Sequence, residues 1–222
     1  MTAARSRNRV WDMIHAERAA LAADLAGLDA EQWNHPTLCG DWNVEQVVAH
    51  LSAAASIGRL RWIRSMAGAR FDPAVHNARR LAEHRGQTPA QTLARFRAVL
   101  TSTTAPSGHT PAWLGEIVVH AHDIRRPLGL TTTTPVDAVT EVARFFASRD
   151  FTVAGKTAAR GLRLHADDGP FRTGDGPSVH GTTIALVMAM AGRTTYYEEL
   201  TGPGVPLLLR RDTVHRPQER PS

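Results

Sequence analysis

Hydrophobic residues recur at helical spacing along the first two-thirds of the chain. In the first segment they fall three, four or seven positions apart, which predicts a helix over residues 5–28. That stripe consists of Val10, Trp11, Ile14, Leu21, Leu25 and Leu28. A second stripe follows Asn43, which forms with Gln46 the capping-box pattern that opens a helix. Because a helix with one apolar face needs partners, the pattern predicts a helical bundle.

Three Thr-Pro pairs mark further helix starts, at Thr88, Thr110 and Thr134. In each pair the threonine hydroxyl can cap a helix, and proline is favoured at the first helical position. The helices predicted from these pairs cover residues 89–103, 111–127 and 135–150.

The pattern changes after residue 154. Leu162 and Leu164 alternate with polar residues, as in a short strand, and glycines interrupt the segment that follows. Further on, the pattern predicts helices at 182–192 and 194–200 and a strand at 205–209. We therefore expect a mainly α protein. It would have a helical-bundle domain at 1–154, a small α/β domain at 155–212 and a disordered tail at 213–222.

Composition limits which partners and which cellular location we expect for the protein. The formal charge of +5 is spread along the chain and not gathered in one block, so we expect no nucleic-acid partner. No apolar run reaches the ~18 residues of a membrane span, and the N-terminus lacks a signal-peptide pattern, so we expect no membrane partner. Cys39 is the only cysteine, which excludes an intrachain disulfide and fits a cytoplasmic location.

One pair of residues indicates metal chemistry. Glu116 and His120 lie four positions apart inside an apolar run, so both side chains point from one helix face toward the neighbouring helices. His50, on the second amphipathic helix, is the candidate third ligand. Two imidazoles and one carboxylate suit zinc, and also nickel, iron or manganese. Three protein ligands would leave a coordination position open, as in catalytic zinc sites.

A simpler interpretation competes with this one. A Glu-x-x-x-His pair often occurs by chance, and most histidines are ordinary core or surface residues. For His122 and Asp123 we expect supporting or capping roles, because they point away from the face of His120. For Arg125 we expect a role as a cation near the helix C-terminus.

Three stretches together resemble the mycothiol-dependent maleylpyruvate isomerase family, which is related to the DinB-like metalloproteins. They are residues 37–51 (TLCGDWNVEQVVAHL), residues 116–129 (EIVVHAHDIRRPLG), and Gly161 to Leu164 with Ala191 to Arg193. The resemblance implies a DinB-like four-helix bundle followed by a small α/β domain. It also implies a divalent metal, most commonly zinc, on His50, Glu116 and His120, and mycothiol as a second cofactor.

The resemblance further implies the reaction. The thiolate of a low-molecular-weight thiol adds to a small electrophilic, acidic substrate, and the outcome is isomerisation or S-transfer. Arg193 is the candidate residue for binding the acidic substrate or the thiol. The alternative hypothesis is a non-catalytic regulatory protein that binds a metal or ligand on the same bundle, since the sequence offers no clear general base beyond the ligands.

Overall fold

The computed structural model describes residues 2–68 and 72–215. They are mainly helical with one small three-stranded sheet, which confirms the predicted fold class. The chain divides into two compact units between Thr133 and Thr134. No helix among the described residues is long and apolar enough to cross a membrane.

The N-terminal unit holds the helical bundle. Four of its helices pack in a closed cycle, in which α1 and α3 each contact both α6 and α7. Helices α4 and α5 occupy a stretch for which the pattern predicted no element. The helices described in this unit are α1 (Thr2–Ala26), α2 (Ala30–Asn34), α3 (Val44–Ala54), α4 (Arg59–Gly68), α5 (Pro73–His84), α6 (Pro89–Arg97) and α7 (Thr110–Arg125).

Two of the predicted helix caps are present. Asn43 and Gln46 make both hydrogen bonds of a capping box at the start of α3, each 2.9 Å long. The Thr88 hydroxyl accepts a hydrogen bond from the Gln91 amide at the start of α6. These caps determine where the bundle helices begin.

The caps predicted at Thr110 and Thr134 are wrong. Thr110 is already the first residue of α7, and the cap position is His109, whose side chain makes no capping hydrogen bond. At the start of α8 the cap position is Pro135, which has no hydroxyl. A capping side chain has to stand at the cap position itself. Thr110 lies one position too late, inside α7, and Thr134 lies one position before the cap of α8.

The C-terminal unit combines helices with the sheet. In the sheet, β1 lies in the middle, antiparallel to β2 and parallel to β3. Helix α10 packs on β1 and also on α8 and α9. The described elements are α8 (Val136–Ser148), α9 (Gly155–Ala159), β1 (Arg163–Ala166), β2 (Arg172–Thr173), β3 (Ser178–Gly181), α10 (Thr183–Met190), a 3-10 helix (Thr194–Glu199) and α11 (Val205–His215).

The division between the units falls earlier than the domain boundary predicted after residue 154. The reason is that α8 packs against α9 and α10, and so lies with the sheet unit rather than with the bundle. Its apolar face, which includes Val139, Val142 and Phe146, is buried within that unit.

The strand predicted at 205–209 is wrong, because this segment is the first half of α11. Pro206 explains the difference: it has no N–H for a sheet, but proline fits the first turn of a helix. Of the tail predicted at 213–222, residues 213–215 belong to α11, and 216–222 lie outside the described residues.

A buried ion pair joins α7 to α1. The Arg125 side chain is almost fully buried and donates hydrogen bonds to Glu17 and, over 2.8 Å, to Asp24. Thr132 also donates to Asp24. Arg125 is the last residue of α7, as predicted for a cation near the helix C-terminus. Its side chain is in addition an internal cation of the bundle.

We predict that Arg125→Ala destabilises the protein by about 3–5 kcal/mol, because it leaves the carboxylates of Glu17 and Asp24 without their arginine. The free energy of unfolding from urea titration measures this loss. Arg126→Ala removes an exposed neighbouring arginine and should change stability by less than about 0.5 kcal/mol. Equal losses in the two variants would contradict the importance of the ion pair.

Candidate metal centre

The structure brings His50, Glu116 and His120 together between α3 and α7. His50 Nε2 lies 2.6 Å from Glu116 Oε1, and His120 Nε2 lies 3.8 Å from the same oxygen. The two imidazole rings stand edge to face with centroids 5.1 Å apart. One ligand atom from each residue lies within 4.8 Å of the other two. Residues separated by 66 positions in sequence thus form one compact group of possible ligands.

The three side chains differ in access to solvent. His120 is buried, whereas the side chains of His50 and Glu116 are 18% and 19% exposed. The Trp42 ring lies against His50 with centroids 5.1 Å apart, and so limits the rotation of that imidazole. The group is therefore held from inside the bundle and open on one side.

Asp123 orients His120. Its fully buried carboxylate lies 3.0 Å from His120 Nδ1. A carboxylate can only accept, so Nδ1–H donates, and Nε2 is the nitrogen that faces Glu116. Histidine ligands of metals commonly have their second nitrogen held in this way.

The same partners control the charge of His120. Burial lowers its pKa, but hydrogen bonds to Asp123 and Cys39 and the charge of Glu116 outweigh burial and raise the pKa to about 10. These surroundings favour the protonated form of His120. Its charge is balanced by the carboxylates around it.

Cys39 also reaches this site, which the sequence did not indicate. Ligand atoms of Cys39, His120 and Asp123 lie within 4.8 Å of one another. The loop before α3 brings the thiol there, because the Leu38 amide donates to the Asp123 carbonyl over 3.1 Å. No periodicity argument could find this contact, since Cys39 lies outside any regular element.

Glu116 also borders a small pocket of about 10 Å³, which Arg18 and Trp113 help to line. The Arg18 guanidinium donates to the carbonyls of Val99 and Ser102, and burial lowers its pKa to about 10. Such a volume holds about one water molecule. It does not provide a substrate site.

The other candidates lie elsewhere. His122 does not belong to the ligand group. Burial and the charge of Arg125 lower the pKa of His122 to about 4. Arg193 belongs to the C-terminal unit, where its side chain donates to the Ala191 carbonyl over 2.8 Å. Its role in binding substrate or thiol stays a prediction.

Comparison with known proteins adds evidence on family and fold. Residues 14–113 match the family model of the mycothiol maleylpyruvate isomerase N-terminal domain, a range that includes His50 and ends just before Glu116. No protein of curated function matches the chain.

Two crystal structures have a similar fold, those of the mycothiol-dependent maleylpyruvate isomerase and of a mutant of it. Each is 16% identical to this chain, with TM-scores of 0.60 and 0.61. The match covers 89% of this chain and 92% of each structure. The resemblance seen in the motifs is thus confirmed: residues 14–113 match the mycothiol maleylpyruvate isomerase N-terminal domain, and the chain has a fold similar to that of the isomerase.

Proposed function

We propose that this protein is a metal-dependent enzyme that uses a low-molecular-weight thiol, mycothiol, to isomerise a small electrophilic substrate. The observation that carries the proposal is the convergence of His50, Glu116 and His120, with Asp123 orienting one of the imidazoles. The family of the N-terminal domain supports the choice of mycothiol.

The residues fit a divalent metal. Their donor set is two imidazole nitrogens and one carboxylate oxygen, which suits zinc and also nickel, iron or manganese. His50 and Glu116 are in contact, and His120 Nε2 faces the same carboxylate oxygen. His50, Glu116 and His120 would hold the metal, and three ligands leave a position for a thiol.

A divalent metal in this site would lower the pKa of a bound thiol and so favour the reactive thiolate. The protein supplies the surroundings. Asp123 keeps His120 Nε2 turned toward Glu116, and Trp42 packs on His50. The partial exposure of His50 and Glu116 leaves a route by which thiol and substrate can approach.

The substrate is an electrophile that a thiolate can attack. Addition of the thiolate to a carbon of a conjugated double bond permits rotation about that bond, and loss of the thiolate completes an isomerisation. Retention of the thiol would make the reaction an S-transfer. Maleylpyruvate, the substrate named for the structurally similar isomerase, is the first compound to test.

The alternative of a non-catalytic regulatory protein is not favoured, because the similar fold and the family of the N-terminal domain are those of an enzyme. The cytoplasmic location predicted from the single cysteine fits the use of an intracellular thiol and stays part of the proposal.

We predict that untagged protein purified without chelator contains a divalent metal at the bundle site, and that Glu116→Gln loses about one equivalent of it per chain. The amide keeps the size of the side chain but removes the charge that a divalent metal needs. Elemental analysis by mass spectrometry measures the metal. His109→Ala, which removes an exposed histidine outside the ligand group, should retain the wild-type content. Unchanged metal in Glu116→Gln would argue against this ligand set.

We predict that Asp123→Asn weakens metal binding at this site about 10- to 100-fold, because His120 loses its charged hydrogen-bond partner. Competition with a chromogenic zinc chelator gives the dissociation constant. Asp12→Asn, at an exposed position of α1, makes the same chemical change and should leave the constant unaltered. The proposal fails on this point if both variants bind like the wild type.

We predict that the metal-loaded protein isomerises maleylpyruvate only when mycothiol is present, and that His50→Ala reduces kcat/KM at least about 100-fold. Absorbance of the conjugated substrate follows the reaction. Glutathione and cysteine serve as comparison thiols, and a panel of unsaturated acids tests the substrate class. Thiol-dependent binding without turnover of any electrophile would instead support the regulatory alternative.

A further inference from the structure

The sheet of the C-terminal unit has one buried face and one open face. Leu164 and Ala166 of β1 and Val179 of β3 are buried, so the alternate residues of these strands point to the open face. In the register of the strands, His165 of β1 lies directly beside Arg172 of β2 and His180 of β3. A cross-strand row of three basic side chains therefore lies on the open face.

Asp167 joins the two histidines of this row. It follows His165 by two positions, and so points to the same side of the strand. Its Oδ1 lies 3.7 Å from His180 Nδ1, and the rings of His165 and His180 stand edge to face with centroids 5.0 Å apart. One ligand atom from each of the three residues lies within 4.8 Å of the other two. Ligand atoms of a tetrahedral zinc site are about 3.4 Å apart, so small side-chain rotations would complete the arrangement.

The backbone around this group is firmly held. The Asp167 amide donates to the Gly181 carbonyl over 2.9 Å and extends the pairing of β1 with β3. His180 exchanges two backbone hydrogen bonds with Thr201, of 2.8 and 2.9 Å. Gly202 permits this approach, since it has φ +104° and a Cβ there would lie 2.5 Å from the Ser178 carbonyl oxygen. The backbone that carries the two histidines is thus held by strand pairing, and Asp167 follows β1 directly with its amide still bonded to β3.

We propose that His165, His180 and Asp167 form a second divalent-metal site, made entirely of residues of the C-terminal unit. Two imidazoles and one carboxylate again suit zinc and nickel, and imidazole nitrogens also bind copper. His165 and His180 border a pocket of about 440 Å³, so a metal there would keep a coordination position open to a ligand. This site is independent of the proposed isomerase chemistry.

Two arginines also border the pocket, and their charges oppose a bound cation. Both Arg163 and Arg172 are exposed, so solvent and salt screen them. The Arg163 guanidinium also donates to the Asp175 carbonyl over 3.4 Å, and so contacts the β2–β3 turn. The carboxylate of Asp167, by contrast, lies within the group itself.

The test is the amount of zinc bound per chain. The untagged protein is stripped of metal with a chelator and then dialysed against zinc. The wild type should bind two equivalents per chain, and His180→Ala and Glu116→Gln one each. The control His109→Ala removes an exposed histidine from outside both groups and should bind two. Asp167→Asn is an isosteric change at an exposed position and should not affect the fold. It should weaken the affinity for the second zinc ion at least about tenfold.

The outcomes separate the two metal proposals. If His180→Ala binds as much zinc as the wild type, the second site is overturned, whatever Glu116→Gln does. If the wild type binds one equivalent that His180→Ala abolishes and Glu116→Gln keeps, the second site holds and the bundle site fails. Electron paramagnetic resonance of cupric ion bound to Glu116→Gln protein provides a direct check. Coupling to two imidazole nitrogens is expected, and it should fall to one in His165→Ala. A spectrum without nitrogen coupling would overturn the site.

Discussion

Charged and ionisable side chains on a buried helix need partners, and helix α7 illustrates how the bundle supplies them. Burying an unpaired charge is costly, so each such group has to meet a complement from another element or from its own helix. Glu116 meets His50 of α3, His120 meets Asp123 one turn further along, and Arg125 meets the acidic groups of α1. Helix α7 is thereby tied to α3 on the side of the candidate site and to α1 through the arginine.

The same requirement links the fold to the proposed chemistry. Glu116 lies against the imidazoles of His50 and His120 and contacts His50 directly, and a divalent metal would be bound by the same three groups. Asp123 acts on His120 in two ways: its carboxylate stabilises the protonated imidazole, and its hydrogen bond orients the ring. Under the proposed function, stability and catalysis would depend on the same contacts. A substitution at one of these residues will change both, and controls at exposed residues of the same type are needed to separate them.

Local patterns predicted much of the bundle and the three-residue group. The four-residue spacing placed Glu116 and His120 on one face, and the capping box at Asn43 fixed the start of the helix that carries His50. Contacts that depend on tertiary packing could not be predicted from local sequence patterns. Arg125 pairs with residues about a hundred positions away, and Cys39 reaches His120 from a loop. The segment after residue 204 looked like a strand because its apolar run is short, although Pro206 favoured a helix start.

The central claim is that His50, Glu116 and His120 bind one metal ion and leave a position open for a thiol. Diffraction data collected on both sides of the zinc absorption edge, from crystals of zinc-loaded protein, test it most directly. We expect an anomalous peak between the three residues, about 2.0–2.2 Å from one atom of each. A zinc-loaded crystal with no peak there, and with His50 Nε2 still hydrogen-bonded to Glu116, would contradict it.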